Sequence, residues 1–115
     1  MTEPPSAQAA PPDLNAALER LWTRFLPEIR ERVSIIDSAV DALASGSLGT
    51  EQKDAARSAA HKLAGVLGTF NLSRGTDLAR ELEAVFSSAN SLEPATAVRL
   101  APMAAEIRSL IDSRK

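Results

Sequence analysis

The chain lacks cysteine entirely, and it has few aromatic residues and no strong net charge. Its 115 residues include no tyrosine and no cysteine. The absence of cysteine excludes disulfide bonds and thiolate metal sites. Aromatic residues make up only 3% of the chain, so its core must be built from leucine, isoleucine, valine and alanine. The net charge of -2 and the absence of a lysine and arginine cluster argue against a nucleic-acid-binding protein.

Long apolar runs are also missing. No run approaches the roughly 18 residues that a membrane helix needs, and no signal peptide opens the chain, so we expect a cytoplasmic protein. Apolar residues still make up 44% of the sequence, which is ample for one domain with one core. The abundance of alanine and leucine favours helix, and no segment alternates with a period of two. The sequence therefore predicts an all-α protein.

Proline positions and apolar spacing predict how the chain is divided. Residues 1–12 hold four of the seven prolines and are predicted to be a disordered arm, followed by one domain over 13–115. A new helix is expected at Pro27, because proline costs about 3 kcal/mol inside a helix but is accepted in its first turn. The prediction is an antiparallel four-helix bundle with an additional helix, five in all and up-and-down. The helices begin after Asp13, near Pro27, near Glu51, near Ser73 and after Pro94.

The only histidine, His61, lies in the segment AHKLAGVLGTF of the third predicted helix. At about 100° per residue, Leu63, Leu67 and Phe70 fall on the side of the helix opposite His61. The apolar stripe therefore buries the face away from the histidine. We predict that His61 is presented to a partner rather than packed in the core.

Two glycines, Gly65 and Gly68, share the predicted histidine face, with Ala64 beside them. Each glycine costs about 1 kcal/mol relative to alanine in a helix interior, so their presence calls for a reason. Glycine is used where another backbone or a ligand must approach closely, and we expect a partner to approach the imidazole here. The alternative is that the glycines let another helix of the same bundle pack tightly, but they lie away from the apolar stripe.

The chemistry open to one exposed histidine is limited. A metal site needs three or four ligands, and no second histidine or cysteine exists. A hydrolase using Ser58 and His61 would lack an evident orienting acid. A neutral imidazole is itself a nucleophile that can accept a phosphoryl group. The rival from another class is a phosphate-independent helical docking or adaptor module that binds a signalling partner.

The histidine segment, with Leu78-Ala79 and Leu82-Glu83 after it, resembles the histidine-containing phosphotransfer (HPt) domain family. That family has a leucine two residues, a lysine three residues and a glycine four residues after its histidine. His61, Leu63 and Gly65 match in place, and the resemblance extends loosely over residues 13–113. Ala64 stands where the family usually has lysine, and Asn71 where it usually has glycine. Asparagine also tolerates the left-handed conformation that closes a helix.

The resemblance implies that His61 carries a phosphoryl group and exchanges it with aspartates of response-regulator receiver domains in two-component signalling. Its partners would be receiver domains, a hybrid histidine kinase, or both. No glycine-rich phosphate cradle is present, so we expect no autokinase or ATP-binding activity. We expect no cofactor of its own, with Mg²⁺ supplied by the receiver domain.

The predicted partner surface surrounds His61 and comprises Arg57, Ser58, Lys62, Ala64, Gly65 and Gly68. Arg57 is the better placed candidate for the cation that Ala64 does not provide, and Lys62 is the alternative. Arg74 and Gly75 are expected either to frame this surface or to form a solvated turn. The short helices and mixed surface predict a monomer, and the initial methionine mildly favours a free-standing protein.

Overall fold

The structure is a computed structural model that describes the backbone of residues 5–88 and 92–114, with side chains from residue 13 onward. These residues form four α-helices and one short 3₁₀ turn at Pro94–Thr96, with no strand among them. The predicted all-α class is confirmed, whereas the predicted count of five helices is wrong. The helices are α1 (Pro5–Ala44), α2 (Thr50–Thr69), α3 (Ser73–Phe86) and α4 (Ala97–Ser113).

The four helices form a bundle in which each packs on two neighbours. Helix α2 lies between α1 and α3, and α4 closes the ring by packing on α1 and α3. The short connections make consecutive helices antiparallel. Buried leucine, isoleucine and phenylalanine side chains fill the interior, each contributing roughly 1.5–3 kcal/mol relative to an exposed position. The largest are Ile29, Ile36, Leu63, Leu67, Leu78, Leu82, Phe86, Leu100 and Ile107.

The count of helices differs because α1 continues without a break through Pro27. Pro27 has no N–H to donate to the carbonyl of Thr23, which is the cost that predicted a helix boundary here. Trp22 and Ile29, on either side of the proline, are both buried. Their burial is worth roughly 1.5–3 kcal/mol each, which outweighs the cost of about 3 kcal/mol for one proline. The proline itself is exposed, so water can reach the carbonyl that it leaves unpaired.

The beginning of α1 also differs from the predicted disordered arm. Helical backbone begins at Pro5, so the structure departs from that prediction over residues 5–12, while residues 1–4 lie outside the described residues. Three alanines within residues 6–10 favour helix. Pro5 costs no hydrogen bond, because the first N–H groups of a helix have no partner within it, whereas Pro11 and Pro12 lie beyond the first turn and each remove one.

A tight turn joins α2 to α3 and sets their antiparallel pairing. The N–H of Leu72 donates to the carbonyl of Leu67 at 2.9 Å, and the N–H of Asn71 donates to that of Gly68 at 3.1 Å. These two bonds define a Schellman motif, which requires a left-handed residue at its centre. Asn71 has a φ of 64°, which confirms the conformation predicted for it. Because α3 begins at Ser73, it returns directly along α2.

Small buried residues bring α2 and α3 close together along what we call the α2–α3 interface. The hydroxyl of Thr76 donates to the carbonyl of Ala64 at 3.0 Å. A Cβ placed on Gly75 would lie 2.9 Å from Cδ1 of Leu67, so only glycine fits there without a shift. Side chains on the outer rim of this interface can therefore reach across from one helix to the other. The small buried residues in contact across the interface are Ala64, Gly75 and Thr76.

Candidate functional site

His61 lies near the middle of α2, on the face turned to solvent. Its side chain is 72% exposed, whereas Leu63, Leu67 and Phe70 are buried. The predicted division of this helix into a core face and a histidine face is confirmed. Helix α2 therefore presents the imidazole to solvent.

The side chain of Glu83, on α3, holds one nitrogen of the imidazole. Nδ1 of His61 lies 2.9 Å from Oε2 of Glu83, and the glutamate side chain is only 28% exposed. An ionised carboxylate accepts hydrogen bonds and cannot donate them, so Nδ1 must carry the proton. In the neutral ring, Nε2 then keeps its lone pair. The geometry orients the ring with a free nucleophilic nitrogen at its outer tip.

Glu83 is a residue of the candidate site that the sequence analysis did not predict. It stands 22 residues after the histidine, and no helical spacing connects the two. The available signal is the turn at Asn71, from which His61 and Glu83 are roughly equally distant. Residues equally distant from a tight turn face each other in an antiparallel helix pair, so the hairpin predicts this contact once both helices are placed.

The two glycines beside His61 have different surroundings. A Cβ placed on Gly65 would meet nothing within 4 Å, so the surface there is open as predicted. A Cβ on Gly68 would lie 3.4 Å from the Thr76 hydroxyl, an ordinary contact with α3. Gly65 therefore fits the expectation of an open approach, while Gly68 is exposed and also borders the neighbouring helix.

The prediction that Ala64 lies on the exposed face is wrong. Its side chain is only 6% exposed, and its carbonyl accepts the hydroxyl of Thr76. The helical wheel places Ala64 about 60° from His61, but α3 covers that side of α2. Ala64 belongs to the α2–α3 interface rather than to the surface around the histidine.

The other flank of His61 faces α1. Ser58, which is half-buried, and Lys62, which is exposed, line an open groove between α1 and α2 together with Glu28, Glu31 and Arg32. The acid that orients the histidine comes from the opposite side, on α3. Ser58 and Glu83 thus lie on different flanks of His61, an arrangement unlike the serine–histidine–acid series that a hydrolase would use.

Arg57, one turn before His61, is exposed as predicted, whereas Arg74 and Gly75 do not frame the histidine. Nε and Nη2 of Arg74 donate to the carboxylate of Glu106 on α4 at 2.8 and 3.1 Å. Gly75 is buried against Leu67. The start of α3 therefore turns these two residues toward α4 and the core.

Comparison with known proteins agrees with this geometry. The family model of the Hpt domain matches residues 20–113, which reach into all four helices. The chain belongs to the Hpt domain family. Membership confirms the resemblance to histidine-containing phosphotransfer domains and supports a phosphotransfer role in two-component signalling. Hpt domains are phosphotransfer modules rather than kinases.

One similar curated protein is Protein RcaC from Microchaete diplosiphon. It is 32% identical to this Hpt domain over 97 residues, which cover 84% of the chain and 15% of RcaC. The chain thus spans about 15% of the length of that relative. No solved structure matches the chain. None of the helices in the described ranges has the length and hydrophobicity that crossing a bilayer requires.

Proposed function

We propose that this Hpt domain is a phosphorelay intermediate that accepts and donates a phosphoryl group on His61. The observation that carries the proposal is the hydrogen bond from Nδ1 to Glu83 at 2.9 Å in a side chain that remains 72% exposed. That bond fixes the tautomer and orientation of the ring, so that its reactive nitrogen points to solvent. Holding a nucleophile in one orientation is what a transfer between two proteins requires.

In the proposed reaction, the lone pair on Nε2 attacks the phosphorus of an aspartyl phosphate on a receiver domain. A nitrogen–phosphorus bond forms as the bond between phosphorus and the aspartate oxygen breaks, and the aspartate leaves as a carboxylate with the bonding electrons. Positive charge develops on the imidazole, and Glu83 stabilises it through the Nδ1 proton. The reverse reaction returns the phosphoryl group to a receiver aspartate.

The partners we propose are response-regulator receiver domains and a hybrid histidine kinase. The open surface over Gly65 lets a receiver approach the imidazole without a side chain in the way. Arg57, Ser58, Lys62 and Gly68 surround the histidine and would contact the receiver. The receiver would supply Mg²⁺ and most of the charge stabilisation, because phosphoryl transfer depends mainly on positioning and electrostatics.

The test is transfer of labelled phosphate from a phosphorylated receiver domain to the wild-type protein and to His61→Gln. We expect label that is labile in acid and stable in base on the wild type alone. Because His61 is exposed, the variant should keep the helical circular dichroism of the wild type. Label of the same kind on His61→Gln would show that another residue accepts the group.

A second outcome would favour the adaptor alternative. If several receivers leave both proteins unlabelled while binding both with equal affinity, the bundle docks without carrying phosphate. Binding is best measured by calorimetry on the same samples, so that the absence of label cannot result from the absence of a complex.

A further inference from the structure

The phosphoryl group proposed for His61 would sit beside the carboxylate of Glu83. A phosphoryl group carries a charge of about -1.5 to -2 near pH 7, and the carboxylate of Glu83 already contacts the same ring. Ala64, the next residue of α2 that faces α3, is buried and carries no charge. A cation close to the phosphoryl group would offset its repulsion from the Glu83 carboxylate.

Helix α3 carries a candidate for this cation, Arg80, on the rim of the α2–α3 interface. Thr76 contacts the carbonyl of Ala64, and Glu83 contacts His61. These two α3 residues are seven apart and so share one face of the helix. Arg80 lies between them, four residues after Thr76 and three before Glu83, within roughly 60° of both. Its Cα is only about 4.5 Å along the helix axis from that of Glu83.

The side chain of Arg80 is exposed and has no competing partner in the described structure. Among residues 13–88 and 92–114, whose side chains the structure describes, Arg80 has no hydrogen-bond or ion-pair partner. Several other arginines are engaged: Arg74 pairs with Glu106 on α4, and Arg30 pairs with Asp112. The guanidinium of Arg80 is thus available to a ligand.

The surface of α2 next to His61, on the side of Arg80, carries two glycines. Gly65 and Gly68 leave the exposed surface of α2 bare beyond His61. A long arginine side chain from α3 can extend over this surface toward the imidazole tip. Lys62, by contrast, lines the groove toward α1. Arg57 starts about 6 Å along the α2 axis from His61, on the side of the imidazole away from Gly65 and Gly68.

We propose that Arg80 binds the phosphoryl group on His61. Helix α3 would then provide, across the interface, the positive charge that Ala64 of α2 lacks. This inference rests on the proposed function, since it concerns the phosphorylated histidine. The planar guanidinium donates two parallel hydrogen bonds to phosphoryl oxygens. The guanidinium also offsets the repulsion between the phosphoryl group and the carboxylate of Glu83. Glu83 lies about one turn after Arg80 on α3.

The first arm of the test does not use a receiver. The wild type, Arg80→Ala and Arg80→Lys are phosphorylated chemically with phosphoramidate, whose ammonia leaves as the histidine–phosphorus bond forms. The second ionisation of the phosphoryl group is then followed by ³¹P NMR as a function of pH. A nearby cation favours the doubly charged form, so Arg80→Ala should raise the pKa of the phosphoryl group, and Arg80→Lys should restore most of the wild-type value.

The second arm measures the rate of transfer from a labelled receiver. We expect Arg80→Ala to slow transfer about fivefold, as for loss of a partly exposed charge contact. Arg99→Ala is the matched control, because Arg99 is an exposed arginine on α4, which does not pack on α2. It should leave both the rate and the titration unchanged.

The outcomes separate the two proposals. An Arg80→Ala protein with the wild-type ³¹P titration and transfer rate would overturn the role of Arg80 while leaving the phosphorelay intact. The same follows if Arg57→Ala, rather than Arg80→Ala, shifts the titration. A wild-type protein that takes phosphoryl groups from phosphoramidate but from no receiver would overturn the relay, while the titration still decides the role of Arg80.

Discussion

The bundle joins its helices in two different ways, and only one of them forms the candidate site around His61. Small residues bring α2 and α3 together, and a single histidine–glutamate pair lies on their rim. The interface between α1 and α4 is instead crossed by three ion pairs in the described ranges. They are Arg30–Asp112, Arg108–Asp37 and Arg114–Glu19.

The difference shows what close packing adds. Long arginine side chains can span two helices at a distance, but each then has its charge satisfied by a carboxylate. Such exposed pairs are worth about 0–1 kcal/mol each, and the buried isoleucines of α1 and α4 hold that interface. The close approach of α2 and α3 lets the short side chain of Glu83 reach one nitrogen of His61 and leave the other nitrogen free.

The largest effect should come from filling the space between α2 and α3. Gly75→Val would place a branched side chain against Leu67, where a single Cβ already comes within 2.9 Å of Cδ1. We expect the free energy of unfolding to fall by about 2–3 kcal/mol, which is typical of overpacking a core. Urea denaturation followed by circular dichroism measures this.

Gly65→Val is the matched control for that variant, because a Cβ on Gly65 meets nothing within 4 Å. Valine has a better helix propensity than glycine, so this change should leave the free energy of unfolding within about 0.5 kcal/mol of wild type. Equal losses in the two variants would mean that α2 and α3 are not held together by small residues.

Removing one ion pair between α1 and α4 should have a smaller effect. Arg108→Gln breaks the contact with Asp37, in which both side chains are at least one-third exposed. We expect a loss of about 0.5 kcal/mol or less, which declines further in high salt because exposed charges are screened. A double-mutant cycle with Asp37→Asn measures the pair, and a coupling energy above roughly 2 kcal/mol would contradict the contrast between the two interfaces.

The smallest effect concerns pH and the contact between α3 and α4. Hydrogen bonds from the Arg74 guanidinium hold the pKa of the Glu106 carboxyl below its ordinary value. A carboxyl whose pKa is lower in the folded state adds stability above its unfolded pKa, and this contribution is lost as pH falls through the folded pKa.

The stability difference between wild type and Glu106→Gln should therefore be constant near neutral pH and shrink below about pH 4. Denaturation at a series of pH values measures that difference. A gap between the two proteins that widens as the pH is lowered would contradict the role assigned to Arg74.

The sequence predicted the features that depend on local spacing. The exposed face of His61 follows from the period of the helix, and the left-handed Asn71 follows from the conformations that asparagine tolerates. The division of α1 at Pro27 was wrong because burial on both sides of the proline outweighs its local cost. Glu83 was missed, and Ala64 was misplaced, because both depend on where α3 lies beside α2.

The turn at Asn71 also has a consequence for the order of folding. The contact between His61 and Glu83 joins residues 22 apart, whereas the three α1–α4 pairs join residues 82, 71 and 95 apart. Closing a short loop costs less chain entropy and occurs faster than closing a long one. His61 can therefore contact Glu83 while only the α2–α3 hairpin has formed. The ion pairs between α1 and the C-terminal part of the chain form later.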